Sequence, residues 1–173
     1  MSVSFFWRRT TAESAASSAP QDLLALVPDW DDQPELWDKR LVTAVEFHCS
    51  VMHRVLVECS SGPDSVAGLP VYGGEPRRDT WTSPDGEVEE YTVVTVLAPD
   101  AVAAAAEVLG GARYEAWMAA DPSRMAALVR ELGFSRQWDD DWAREVAGDL
   151  ADLADFYRAA ARAGDAVVKY LSC

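Results

Sequence analysis

The chain has 173 residues, enough for one domain with a buried core and too few for two full domains. Apolar residues make up 49% and charged residues 25%, which excludes general disorder and a fibrous repeat. Acids outnumber bases 29 to 15, and the resulting charge of −14 argues against nucleic-acid binding through a broad basic face and favours neutral or cationic partners.

In chain order, Val3 to Arg8 is rich in aromatic and β-prone residues and predicts a first strand. Thr10 and Glu13 form a capping-box pattern that opens a short helix, and Gln21 to Val27 predicts a second before the acidic turn Pro28 to Asp32. A long helix is expected from Asp32 or Gln33, with Pro34 in its first turn, to about Cys59. Trp37, Leu41, Val45, Cys49, Met52, Leu56 and Cys59 recur there in steps of four and three, forming one apolar stripe. Ser60 to Arg78 then reads as a long loop rich in glycine and proline, and such a segment is often functional.

Ser83-Pro84-Asp85-Gly86 signals a turn, and Tyr91 to Leu97 is the strongest strand of the chain, expected at the centre of the sheet. Helices follow over Pro99 to Leu109, from Asp121-Pro122 to before Gly133, and from Asp139 or Asp140 to Gly164. The last buries Trp142, Val146, Leu150, Leu153 and Tyr157. Ala166 to Leu171 closes the chain as a strand. Strands at both ends and in the middle, separated irregularly by helices, predict an α+β fold: a single domain over residues 1–173, with a small mixed sheet packed by several helices.

No apolar run reaches the ~18 residues of a membrane span, and the first arginines follow the apolar stretch instead of preceding it, so neither a membrane segment nor a leader is expected. Three irregularly spaced cysteines, Cys49, Cys59 and Cys173, fit free thiols in a reducing compartment, and the expected location is the cytoplasm. Thirteen arginines against two lysines, with abundant alanine, read as the coding bias of a high-GC bacterium.

Glu46, Cys49 and His53 fall on one side of the expected long helix, where they could hold a metal or activate a thiolate. The competing reading makes Cys49 a core residue and places His53 at the stripe's edge, with His48 a buried, hydrogen-bonded histidine. Tyr72-Gly73-Gly74-Glu75-Pro76-Arg77-Arg78 joins a flexible backbone to an acid and two guanidinium groups, suited to an anion or a carbonyl ligand, or simply to a solvated turn. It lacks the features of a phosphate loop or dinucleotide fingerprint. Trp138-Asp139-Asp140-Asp141-Trp142 opens a stretch to residue 155 with seven acids and one arginine. That pattern fits a helix N-terminus, or a surface for a cation or basic partner. No metal site, cofactor or catalytic set is predicted, and whether the chain is an enzyme stays open.

Four segments resemble the YfbM-like family of small bacterial proteins, a domain-of-unknown-function family: Ser4 to Thr11, Leu69 to Pro76, Leu97 to Val102 and Phe156 to Val167. The chain departs from the family pattern after Met52-His53, where a Thr-Gly stop is missing, and at Ala98, where a capping Thr is usual. The lost cap weakens the following helix by about 1 kcal/mol. The resemblance implies a one-domain α+β fold and no particular activity.

The expected function is a non-catalytic binding or interaction module, with an immunity-like cover for a basic partner as a special case. The ligand-binding residues expected are Glu46, His53, Tyr72, Gly73, Gly74, Glu75 and Arg77. The alternative is a small hydrolase or transferase using His53 and Glu75 as acid and base.

Overall fold

The computed structural model describes residues 3–30 and 32–172. Met1, Ser2, Asp31 and Cys173 lie outside them. Strand β1 (Ser4–Thr10) is followed by short helices α1 (Ala12–Ser17), α2 (Pro20–Leu24) and α3 (Pro34–Asp38), then β2 (Val42–Glu46), α4 (Cys49–Cys59) and α5 (Asp64–Ala67). The hairpin β3 (Glu75–Thr82) and β4 (Val88–Leu97) leads into α6 (Pro99–Gly111), α7 (Tyr114–Ala120), α8 (Pro122–Glu131), α9 (Asp140–Ala163) and β5 (Ala166–Ser172).

The strands form one sheet in the order β2-β1-β5-β4-β3. The α+β class expected from sequence is what the fold shows. The sheet, however, is antiparallel throughout instead of mixed. Its reason is connectivity: no parallel crossover joins two sheet neighbours, and α9 ends at Gly164 and sends β5 back between β1 and β4. The central strand is therefore β5, and Tyr91 to Leu97 lies one strand nearer the edge.

Strand alternation puts a different core on each face. On one, Phe5, Trp7, Leu97 and Val167 meet α4, α6 and α9 through Met52, Leu56, Val102, Leu150 and Tyr157. On the other, Val94, Val96 and Val168 meet Ala15 of α1 and Leu23 of α2. Helix α9 matches its reading: Asp139 Oδ1 accepts from the Trp142 amide at 2.8 Å, and Gly164 ends it at a φ of 69°. All five residues of its apolar stripe are buried.

The long helix expected from residue 32 or 33 to 59 is instead α3, β2 and α4. Gln33, Arg40 and Phe47 take left-handed φ values of 52°, 53° and 62°, which break a continuous helix. Between them Val42-Thr43-Ala44-Val45, β-branched at all but Ala44, pairs with β1. The apolar period misled because strand and helix share it here: Val45, Cys49, Met52 and Leu56 all reach the same core. Smaller differences are local. Thr11, not Thr10, caps α1 through the Ser14 amide. The expected loop over 60–78 contains α5 and the start of β3, whose charged residues hid an exposed edge strand.

Candidate functional site

The loop from Gly68 to Gly74 is gripped from below by three side chains. Trp7 Nε1 donates to the Pro70 carbonyl at 2.8 Å, and the Tyr157 hydroxyl donates to the same oxygen at 2.9 Å. Lys169 Nζ donates to the carbonyls of Leu69 at 2.9 Å and Val71 at 2.7 Å, and also to that of Gly73. Trp7 and Lys169 are register partners on β1 and β5, so they stand side by side on one face, with Tyr157 arriving from α9. The glycines permit the close approach. A Cβ on Gly73 would lie 2.9 Å from Leu69 Cα, and one on Gly74, at a φ of 127°, 2.8 Å from Thr95 Cγ2.

Lys169 is only 1% exposed, and this burial pulls its ammonium from 10.5 down to about 7. Its three N–H groups meet three carbonyls, whose dipoles favour the charged form, and none is left over for a ligand. The arrangement is a clasp for the loop. Above it, the His53 ring packs on Tyr72 at 4.9 Å, and Tyr72 packs edge-on against Phe5 at 5.7 Å. Burial, then the charges of Lys169 and Arg54, lower the His53 pKa, and its buried Nδ1 has no hydrogen-bond partner among the described residues.

Of the residues singled out from sequence, His53, Tyr72 and Gly73 come together over Lys169. Glu75 and Arg77 do not join them. They pair with Val96 and Val94, which face α1 and α2, and Arg77 Nη2 donates to the Ala15 carbonyl at 3.3 Å and lies 3.7 Å from Glu75. They thus stand on the opposite face of the sheet from His53. Gly74 ends the loop against β4. Glu46 closes β2, the other edge strand, so the helical trio with Cys49 and His53 does not form. Cys49 is sealed in the core at 5% exposure, with its thiol pushed up to about 12 by burial and by Asp149. His48 is half-buried, its Nδ1 held 3.0 Å from Asp149 Oδ2. Lys169, Trp7 and Tyr157 escaped the sequence reading because a lysine or tyrosine in an apolar run carries no sign of what it reaches.

A second concavity, of about 690 Å³, lies between α7 and the first half of α9. Met118, Ala119 and Trp138 line it from one side and Ala143, Ala147 and Gly148 from the other, with Glu115, Asp139 and Asp140 at its rim. The Trp-Asp-Asp-Asp-Trp motif divides here: Trp142 enters the core at 1% exposure, while Trp138 stays half-buried in the groove wall.

No family model matches the chain. No curated protein matches it by sequence. Among solved structures, the crystal structure of YfbM from Escherichia coli, a protein of unknown function, is similar with a TM-score of 0.53 at 11% identity, over 98% of this chain and 99% of that one. The chain thus has a YfbM-like fold, as its four motif segments implied.

Proposed function

We propose that the protein is a non-catalytic interaction module that recognises a basic protein partner, as an immunity-like cover would. The observation carrying this reading is the disposition of charge. Nine of the thirteen arginines are engaged in ion pairs with the chain's own carboxylates, among them Arg9 with Asp165, Arg54 with Glu58 and Arg136 with Glu145. The excess acids face solvent: Asp22, Glu35, Asp85, Glu87, Asp100 and Glu107 are exposed and, among the described residues, have no ion-pair partner. Such a surface steers cationic partners and repels anionic ones. The hydrolase or transferase alternative draws no support from the geometry, since His53 and Glu75 occupy opposite faces of the sheet.

The test is capture with cross-linking from the source cells at low and high salt, followed by mass identification and titration of the purified partner. The expected result is a basic protein that binds directly and is released as salt rises. Recovery of only acidic or neutral partners refutes the reading.

A further inference from the structure

We propose that the groove between α7 and α9 docks an amphipathic helix of a basic protein, small and apolar toward the groove and flanked by lysine or arginine. This placement rests on the basic-partner reading above. The α9 wall is made by Ala143, Ala147, Gly148 and Ala151, which share one face of the helix over about 12 Å. With no side chain beyond Cβ, that face lets another backbone come close, as facing helices do where ridges are low.

Gly148 is the lowest point of this wall. It sits inside the 24-residue α9, where glycine costs roughly 0.5–1 kcal/mol against alanine. Internal packing does not demand it: a Cβ built there meets nothing within 4 Å. At Gly73 and Gly74 glycine stands where another backbone presses in, whereas Gly110 and Gly111 of α6, like Gly148, face open space. What sets Gly148 apart is that the space in front of it is the groove, where a partner's backbone has room to come close.

The rim selects the charge of the occupant. Glu115 and Asp140 border the groove together with Asp139, which is shared with Arg136 and the Trp142 amide, and the lining arginine, Arg144, is neutralised by an ion pair with Asp141. A second copy of the chain presenting its own α9 would bring seven acids and one arginine of residues 139–155 against the same acids, so a basic partner is the better match. Met118 and Trp138 supply the apolar and aromatic contact that anchors such a helix.

The probe is a fluorescein-labelled helical peptide with alanine and leucine on one face and lysines on its flanks, followed by anisotropy against the full chain. Its glutamate-flanked counterpart is the control. Wild type is expected to bind the lysine peptide, more weakly as salt rises, and to ignore the glutamate peptide. Gly148→Leu fills the groove without touching the core and should weaken binding about tenfold or more, as should Glu115→Lys with Asp140→Lys. Gly148→Ala, which keeps α9 intact, serves as the folded control, and circular dichroism verifies each variant. Equal binding by wild type and Gly148→Leu, or no binding by wild type, overturns the groove. In either case a basic partner captured directly from the cells keeps the broader reading standing, whereas failure of that capture removes the reading itself.

Discussion

Replacing Lys169 by Met keeps most of the side-chain volume and removes the amine that grips the loop, so it isolates the electrostatics of one buried charge. In the folded chain the ammonium titrates at about 7, whereas unfolded it returns to 10.5. Between these values the unfolded state holds a proton that the folded state has released, so stability rises with pH across this window. Below about 7 both states are protonated and the slope vanishes. The ceiling is about 1.4 kcal/mol per pH unit, or roughly 2 kcal/mol between pH 7 and pH 9. The groups near the amine titrate too: burial raises Tyr157, Tyr72 and Cys49 and lowers His53, while Arg54 stays charged. Of these only His53 is lowered by the lysine's own charge, and it titrates below 6.5, so above pH 7 the difference between wild type and Lys169→Met reports the lysine. Urea unfolding of both at fixed ionic strength from pH 6 to 9.5 measures it. A stability difference that grows in favour of wild type above pH 7 supports desolvation as the dominant effect. A flat difference through pH 9 refutes it and shows that the carbonyls of Leu69, Val71 and Gly73 hold the amine near its ordinary value.

Trp7→Phe and Tyr157→Phe each remove one donor from the Pro70 carbonyl; Tyr157→Phe should cost about 1 kcal/mol, and Trp7→Phe more, because it also leaves a cavity in the core. The double variant, which strands that buried oxygen, should cost more than the sum, and a double-mutant cycle by urea denaturation reads the coupling. The His53 ring should titrate below 6.5 by NMR, so stability from this group is lost as pH falls from 6.5 through the lower folded value. A midpoint at or above 6.5 contradicts the burial and positive neighbours described for it. Cys49 should resist alkylation in the folded protein at pH 8 and react on unfolding, with the half-buried Cys59 reacting sooner, as peptide mapping by mass would show.

Most of the fold was legible where pattern and punctuation agreed. The cap at Asp139, the stripe from Trp142 to Tyr157 and the stop at Gly164 each leave a local signal, and α9 follows them. The stretch from Gln33 to Cys59 failed because its apolar residues satisfy a helix and a strand-then-helix equally. What decides between them is pairing of Val42 to Val45 with β1, more than thirty residues away, and three left-handed residues without a glycine to announce them. The candidate ligand residues were scattered for a related reason. Tyr72 to Arg77 are neighbours in sequence, but β3 begins at Glu75, and strand alternation then sends Glu75 and Arg77 to the α1–α2 face while Tyr72 stays with His53.

The two faces of α9 carry the argument further. Its core face is written in large apolar residues whose spacing any periodicity search finds, because burying them drives the helix onto the sheet. The groove face is written in Ala143, Ala147, Gly148 and Ala151, which read in sequence as nothing more than a helix-compatible background. Only the open space before Gly148 separates a residue that the fold needs from one that it merely tolerates. The loop glycines show the contrast: Gly73 and Gly74 are required by contacts within the chain, so substitution there should damage folding. Substitution at Gly148 should leave folding intact or improve it. A glycine that the fold requires and one that it merely tolerates thus give opposite signs under the same chemical change, and loss of peptide binding in Gly148→Leu is what then distinguishes a surface kept open for a partner from a helix face left bare.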